Sequence, residues 1–171
     1  MNMVIRTEVP SDYPGVYQLV QEAFATAEHR DGDEQDLVVR LRDSEAFIPS
    51  LSLVAEVDGT LAGYLLLTRI QVGRSQQLAA APLAVAPAFQ RQGIGTALIR
   101  EGERRAREMG YQYIVILGSP AYYGRLGYGP AERYGIRPPF PVESAYFMAQ
   151  PLRPGVEKLD GVVQYAPEFG I

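Results

Sequence analysis

Gly93 and Gly95, one residue apart, follow the polar turn Gln90-Arg91-Gln92 and open a stretch in which Ile94, Ala97, Leu98, Ala106 and Met109 recur at helical spacing. Residues 78–85, just upstream, form an apolar run of strand character. A strand that turns through glycine into a helix exposes the unpaired N–H groups of the first helical turn, and the helix dipole adds partial positive charge there. Glycine also lets an anion approach the backbone, so the arrangement can cradle a phosphate or diphosphate. The alternative is structural: two glycines that only let helix and sheet pack closely. Spacing excludes two common cradles. A P-loop needs a lysine after its second glycine, and none occurs here. A dinucleotide fingerprint needs a third glycine where Leu98 stands.

A second constellation is Gly118-Ser119-Pro120-Ala121-Tyr122-Tyr123-Gly124-Arg125-Leu126-Gly127-Tyr128, after the apolar run 111–117. A phenol has a pKa of about 10 and can donate a proton to a group that gains charge. In a chain with eleven tyrosines, packing is the competing role for Tyr122 and Tyr123. Arg125 is read either as a phosphate contact or as part of a solvated face. Ser119 is read as a ligand contact or as the cap of the short helix.

Other chemistry is closed off by what the chain lacks. With no cysteine, disulfides, thiolate metal sites and thiol nucleophiles are excluded. One histidine, His29, precludes a multi-histidine metal site, so no metal is expected. One lysine, Lys158, limits Schiff-base chemistry in the same way. A formal charge of -4 gives no broad attraction for nucleic acid, which needs clustered cations, and mildly favours a cationic substrate. No stretch is apolar for the roughly 20 residues that a membrane helix needs. The absence of cysteine and of a leader-like start at residues 1–10 leads to a cytoplasmic expectation.

The elements that must position these residues follow from periodicity. A short strand is expected at residues 4–8, then a helix with Val16, Leu19, Val20, Ala23 and Phe24 on one face, capped by Ser11 or Asp12 and with Pro14 in its first turn. A second helix presents Leu37, Val38 and Leu41. Strands are expected at 51–57 and 60–72, joined by the hairpin pair Asp58-Gly59. Pro82 interrupts the strand at 78–85, which requires a bulge or an exposed edge. A helix is expected at 93–109, with Arg100, Glu103, Arg104, Arg107 and Glu108 on its solvated face. A strand at 111–117, a short helix at 121–126 and a last strand at 144–149 complete the series. This order is an α/β (α+β) architecture with a mixed central sheet flanked by helices. Length, 47% hydrophobic content and the lack of a linker or repeat favour one domain over residues 1–171.

Gln90-Arg91-Gln92-Gly93-Ile94-Gly95 resembles the Gln/Arg-x-x-Gly-x-Gly/Ala coenzyme A signature of the GNAT acetyltransferases, and Tyr122 to Tyr128 resembles that family's aromatic-Tyr-x-x-x-Gly-aromatic helix. Further similarity to a bacterial subgroup of predicted N-acetyltransferases runs through residues 50–56, 82–85, 147–149 and 163–169, so it covers most of the chain. The resemblance implies a GNAT fold splayed at the acetyl-CoA-binding strand, with acetyl-CoA as cosubstrate. It implies that the backbone of Leu83, Ala84 and Val85 pairs with the pantetheine arm and that Gln90, Arg91, Gln92, Gly93, Ile94, Gly95 and Thr96 take the diphosphate. Ser119, Tyr122 and Arg125 join them as cofactor contacts, and Tyr123 is the catalytic acid that protonates the leaving sulfur.

Many members of that family carry a carboxylate on the strand before the glycine turn; here the stretch is Leu78-Ala79-Ala80-Ala81. Glu56, Glu22, Glu28, His29 or water are the candidates for the base. The expected reaction is direct attack by a primary amine, small-molecule or peptide, without a covalent enzyme intermediate, and a homodimer is left open. The competing readings are a non-catalytic acyl-CoA sensor of the same fold and a nucleotide-binding oxidoreductase or kinase-type domain built on the Gly93/Gly95 turn.

Overall fold

Asp58 and Gly59 both take up left-handed backbone, φ 50° and 84°, the twist that a two-residue hairpin turn requires. They join β2 (Phe47–Val57) to β3 (Thr60–Val72) in antiparallel register, Val57 opposite Thr60. The computed structural model describes residues 1–25 and 32–171. β1 (Met3–Thr7) lines the free side of β2, and β4 (Ser75–Val85) lies antiparallel to β3. Beyond β4 come β5 (Tyr113–Leu117), parallel to it, then the antiparallel β8 (Phe147–Pro151) and the two-residue β6 (Gly129–Pro130). β9 (Gly161–Gln164) takes over the edge of β3 where β2 ends, and β7 (Ile136–Arg137) runs parallel to β9.

Alternation along β3 assigns the two faces. Leu65 and Leu67 pack with α3 (Ile94–Glu108) through Ile94, Leu98, Ile99 and Ala106. Tyr64 and Leu66 face the other way, against α1 (Tyr13–Phe24) and α2 (Glu34–Arg42) through Val16, Leu19, Val20, Val38 and Leu41. Ile70 and Val72, on that same second face, pack under the C-terminal segment with Tyr113, Phe147 and Val163.

The feature that matters for function is where β4 and β5 part. They pair at only two positions, Leu78 with Ile114 and Ala79 with Val115. Leu67 is opposite Ala80 but Leu65 is opposite Leu83, so β4 carries one extra residue around Ala81 and Pro82. This is the expected bulge, in a strand that proline cannot hydrogen-bond into a ladder. From Ala80 to Val85 one edge of β4 is unpaired, and the sheet is splayed there as the resemblance implied.

Several local expectations are corrected. Asp12 does not cap α1: its carboxylate accepts the Val9 N–H and two bonds from Arg6, which locks the turn before the helix. Met109 lies past the last turn of α3 and is 46% exposed. Glu103, placed by its charge on the solvated face, is buried at 3% exposure. The helix expected at 121–126 divides into α4 (Pro120–Tyr123) and a tighter 3₁₀ turn over Gly124–Leu126. Residues Ser144–Tyr146 are a 3₁₀ turn, so the last long strand starts at Phe147 rather than at residue 144.

Candidate active site

A cleft of about 650 Å³ opens beside the unpaired edge of β4, within the usual ~300–1,000 Å³ of small-molecule sites. Leu83, Val85, Gln90, Arg91, Gly93, Ile94, Gly95, Thr96, Tyr122, Arg125 and Leu126 line it. The strand edge is chemically active. Ala86 donates its N–H to Ala62 on β3, so by alternation the amides of Val85 and Leu83 project away from β3, where β5 has departed. The Val85 carbonyl accepts a bond from Gln90 Nε2 at 3.3 Å.

The turn that follows is held in an uncommon conformation. Arg91, a non-glycine residue, is left-handed at φ 66°, and Gly93, the N-cap of α3, is at φ 82°. Backbone strain of this kind persists where the surroundings enforce it and recurs at ligand clamps. The first intrahelical bond is Ala97 N–H to Gly93 O, which leaves the amides of Ile94, Gly95 and Thr96 without helical partners. No side chain caps them and no acidic residue sits in the first turn.

The two glycines have different work. A Cβ on Gly93 would meet nothing within 4 Å, so this glycine serves its backbone angle alone. A Cβ on Gly95 would lie 2.8 Å from Tyr122 Oη, so this one serves close approach. Tyr122 Oη also lies 3.3 Å from Thr96 Oγ1, and the phenol therefore hangs over the helix start.

The cleft lining includes two arginines, Arg91 and Arg125, and no carboxylate. With the helix dipole added, the site favours a polyanion. Arg125 is anchored through Nε to the Ala121 carbonyl. A long ligand with phosphate groups at one end and amide groups along its arm fits this donor set: amides and cations at the turn, then a bare strand edge.

Four expected contacts are not part of the lining: Ala84, Gln92, Ser119 and Tyr123. Ala84 faces the α1–α2 side, and Gln92 is exposed. Ser119 caps α4 through its carbonyl, which accepts from the Tyr122 and Tyr123 amides, while its hydroxyl makes no capping bond. Tyr123 stands behind Tyr122, edge to face at 4.9 Å, with its ring against the Gly118 backbone, where a Cβ would come within 2.5 Å of Cε2. Its hydroxyl has no protein partner among the described residues. Burial, with a smaller contribution from Tyr122, pushes this phenol well above the usual tyrosine range.

Of the proposed bases, Glu56 is paired with Arg6 at 2.9 Å on the β1–β2 ladder. Glu22 is exposed on α1 and accepts from Gln18. Glu28 and His29 lie outside the described residues. Sequence reasoning missed Leu126, which lines the cleft, and the buried pair below it: Tyr128 donates to Glu103 Oε2 at 2.9 Å while Arg100 holds Oε1 at 2.9 Å. Tyr128 is 6.0 Å from Tyr123, ring to ring, so the segment after β5 is tied to α3 at two heights, Thr96 and Glu103. Glu103 did leave a signal: it falls four residues after Ile99 and three before Ala106, on the apolar stripe.

No helix among the described residues is long and apolar enough to cross a membrane, and these residues contain no cluster of three His, Cys, Asp or Glu arranged to hold a metal.

A family model for the acetyltransferase (GNAT) family matches residues 13–128. The uncharacterized N-acetyltransferase YhbS of Escherichia coli K12 is 33% identical over 171 residues, covering 98% of each chain. YjhQ of the same organism, another uncharacterized N-acetyltransferase, is 34% identical over 164 residues, covering 91% of this chain and 88% of its own. The crystal structure of Escherichia coli YhbS in complex with CoA superposes with a TM-score of 0.87 at 30% identity, over 100% of this chain and 93% of that one. A GNAT acetyltransferase from Brucella melitensis in complex with acetyl-CoA gives 0.80 at 32% identity, over 98% of each.

Proposed function

Because this chain belongs to the acetyltransferase (GNAT) family, we propose that its cleft holds acetyl-CoA for direct transfer of the acetyl group to a primary amine. The protein is an acetyl-CoA-dependent acyltransferase, and the proposal concerns how its residues do the work and on what. One observation carries it: an amide-lined helix start with two arginines and no carboxylate opens onto a strand edge that has lost its partner.

In this reading the amides of Ile94, Gly95 and Thr96, with the strained turn at Arg91, grip the diphosphate, and Arg125 answers a further phosphate. Gln90, Gln92 and Gly93 shape that turn. The edge formed by Leu83, Ala84 and Val85 pairs with the amide-bearing arm, Tyr122 packs across it, and Ser119 opens the helix that carries both tyrosines. Acetyl-CoA supplies an acetyl group activated as a thioester. The Val85 N–H polarises the carbonyl as a single oxyanion donor. The acceptor nitrogen forms its bond to the acetyl carbon as the carbon–sulfur bond breaks, Tyr123 gives its proton to the sulfur, and the proton shed by the newly acylated nitrogen passes through water to restore the phenol. Burial keeps that phenol protonated across the working pH range, which suits an acid. Water takes the proton of the incoming ammonium, since no carboxylate lines the cleft.

All 171 residues act as one N-acetyltransferase domain in the cytoplasm, as a monomer or a homodimer, on a small-molecule or peptide amine. The test is incubation with acetyl-CoA and a pool of primary amines, following thiol release and the acetylated product by mass spectrometry. Binding of CoA without turnover of any amine, together with wild-type behaviour of Tyr123→Phe, would leave a sensor in place of an enzyme.

A further inference from the structure

The Tyr123 hydroxyl bonds to no other described residue, so the aim of this phenol rests on packing alone. Its ring is seated on three sides. The Gly118 backbone closes one of them, where a Cβ would come 2.5 Å from Cε2. Tyr122 stands edge-on at 4.9 Å between centroids, and Tyr128 at 6.0 Å with the two rings 69° apart. Tyr122 leans on one long bond of 3.3 Å to Thr96 and lines the cleft. Tyr128 is the fixed neighbour. It is 4% exposed, its N–H donates to the Tyr123 carbonyl at 3.1 Å, and its hydroxyl donates to Glu103 Oε2 at 2.9 Å. One residue thus holds both the main chain and the ring of Tyr123.

Glu103 is a costly choice for the anchor. A carboxylate at 3% exposure needs its charge answered, and each oxygen has one partner: Tyr128 on Oε2, and Arg100 Nη1 on Oε1 at 2.9 Å. Well-packed apolar residues in such a place are often as stable. What they lack is direction, which a hydrogen bond imposes on the ring that makes it. Burial, and then the Glu103 charge, keep the Tyr128 phenol protonated, so it stays the donor. Thr96 and Glu103 are seven residues apart on α3, two turns along one side of the helix, or about 10 Å. The helix that carries the free amides in its first turn therefore also carries the anchor of Tyr128, and one rigid rod spaces the two.

We infer that Glu103 is a positioning residue for the acid: by holding the Tyr128 hydroxyl it fixes the ring and the main chain against which Tyr123 is seated, so that α3 keeps the proton donor at a constant distance from the diphosphate grip. The inference rests on the acetyltransferase reading with Tyr123 as the acid, and adds the residues that aim it. Neither Glu103 nor Tyr128 lines the cleft, so both act through Tyr123.

The experiment follows thiol release from acetyl-CoA with the best acceptor of the amine pool, for wild type, Tyr128→Phe, Glu103→Ala, Glu103→Gln and Tyr123→Phe. Tyr128→Phe and Glu103→Ala are also each combined with Tyr123→Phe, and CoA affinity and Tm are measured on every protein. Tyr128→Phe should lower kcat about tenfold and Glu103→Ala about ten- to hundredfold, the scale of a displacement near 1 Å. KM for acetyl-CoA and the affinity for CoA should stay within about twofold, because the cleft lining is untouched. Glu103→Gln keeps an acceptor for Tyr128 and should return kcat to within about threefold of wild type. In the Tyr123→Phe background neither change should lower kcat by more than about twofold further, since no proton is left to aim. A purely structural pair would lower Tm and leave these ratios alone. Tyr128→Phe keeps the ring and the main-chain bond, so it carries the test if Glu103→Ala does not fold. Unchanged kcat in Tyr128→Phe, an equal loss with and without the Tyr123 hydroxyl, or a Tyr128→Phe protein that does not fold overturns the inference. Wild-type kcat in Tyr123→Phe alone, or no amine turned over by wild type, would instead remove the reading beneath it, and both are seen in proteins whose Glu103 and Tyr128 are intact.

Discussion

A single methyl group at Gly95 separates ligand grip from folding. Built on that residue, it would lie 2.8 Å from Tyr122 Oη, 3.6 Å from Val85 Cγ2 and 3.7 Å from Leu83 Cδ2. The last two are ordinary contacts, so Tyr122 alone must yield. Its hydroxyl is held by one long bond of 3.3 Å to Thr96, and the ring can swing aside cheaply. Gly95 lies within α3 with no left-handed angle, where alanine gains about 0.8–1 kcal/mol over glycine. Gly95→Ala should therefore keep its stability within about 1 kcal/mol, or roughly 2–4 °C in Tm for a chain of this size. CoA binding should behave otherwise. The methyl stands over the amides of Ile94, Gly95 and Thr96, and loss of one charge-assisted bond to a phosphate costs about 1.5–3 kcal/mol, about 10- to 150-fold in Kd. Gly93→Ala is the mirror experiment: its Cβ meets nothing, but φ 82° costs a side chain about 1–2 kcal/mol, so stability should fall while affinity changes less. Calorimetric titration of CoA and thermal unfolding on both variants give the four numbers. Wild-type Kd in Gly95→Ala, or an undiminished Tm in Gly93→Ala, would refute this division.

Tyr123→Phe should lower kcat about 10²-fold or more with CoA affinity unchanged, whereas Tyr122→Phe should loosen CoA and largely spare kcat; steady-state kinetics with calorimetry tells them apart. Glu103→Ala should cost about 1–3 kcal/mol in chemical denaturation, because it strands the buried Tyr128 hydroxyl, and Glu103→Gln, which keeps an acceptor, should cost less. Burial raises the phenols of Tyr64, Tyr123, Tyr128 and Tyr165 above the unfolded value of about 10, so the stability they carry is complete below pH 10 and lost as pH climbs beyond it. Glu101 is held at about 2, first by its bond to Arg104 and then by Arg105, so its contribution is present above the ordinary carboxylate range and lost as pH falls towards 2. Tm measured across pH should fall at both ends, and Glu101→Gln should flatten only the acid side.

The middle of the chain was legible because local chemistry determines it. Asp58-Gly59 can close only a tight turn, β3 runs over the 60–72 span expected of it, and Pro82 forces the extra residue into β4. The C-terminal third was less so. β6 and β7 are two residues long, and β9 exists because it finds β3 some ninety positions upstream, a pairing that no local pattern encodes. At the site, the glycine turn and both arginines were readable from residue type and order. Which tyrosine faces the cleft was not: neighbours on a helix point about 100° apart, and only the tilt of α4 against Gly118 and Gly95 decides that Tyr122 does. Charge misled at Glu103, where a carboxylate satisfied by Tyr128 and Arg100 sits as deep as its apolar neighbours.

Because β3 alternates, the residues that support the α3 side and those that meet the opposite side are interleaved on one thirteen-residue strand. Insertion of one residue before Leu65 would swap the two sets wholesale, setting each against the neighbours shaped for the other. Descent within such a fold should therefore tolerate volume-conserving substitution here and length variation hardly at all.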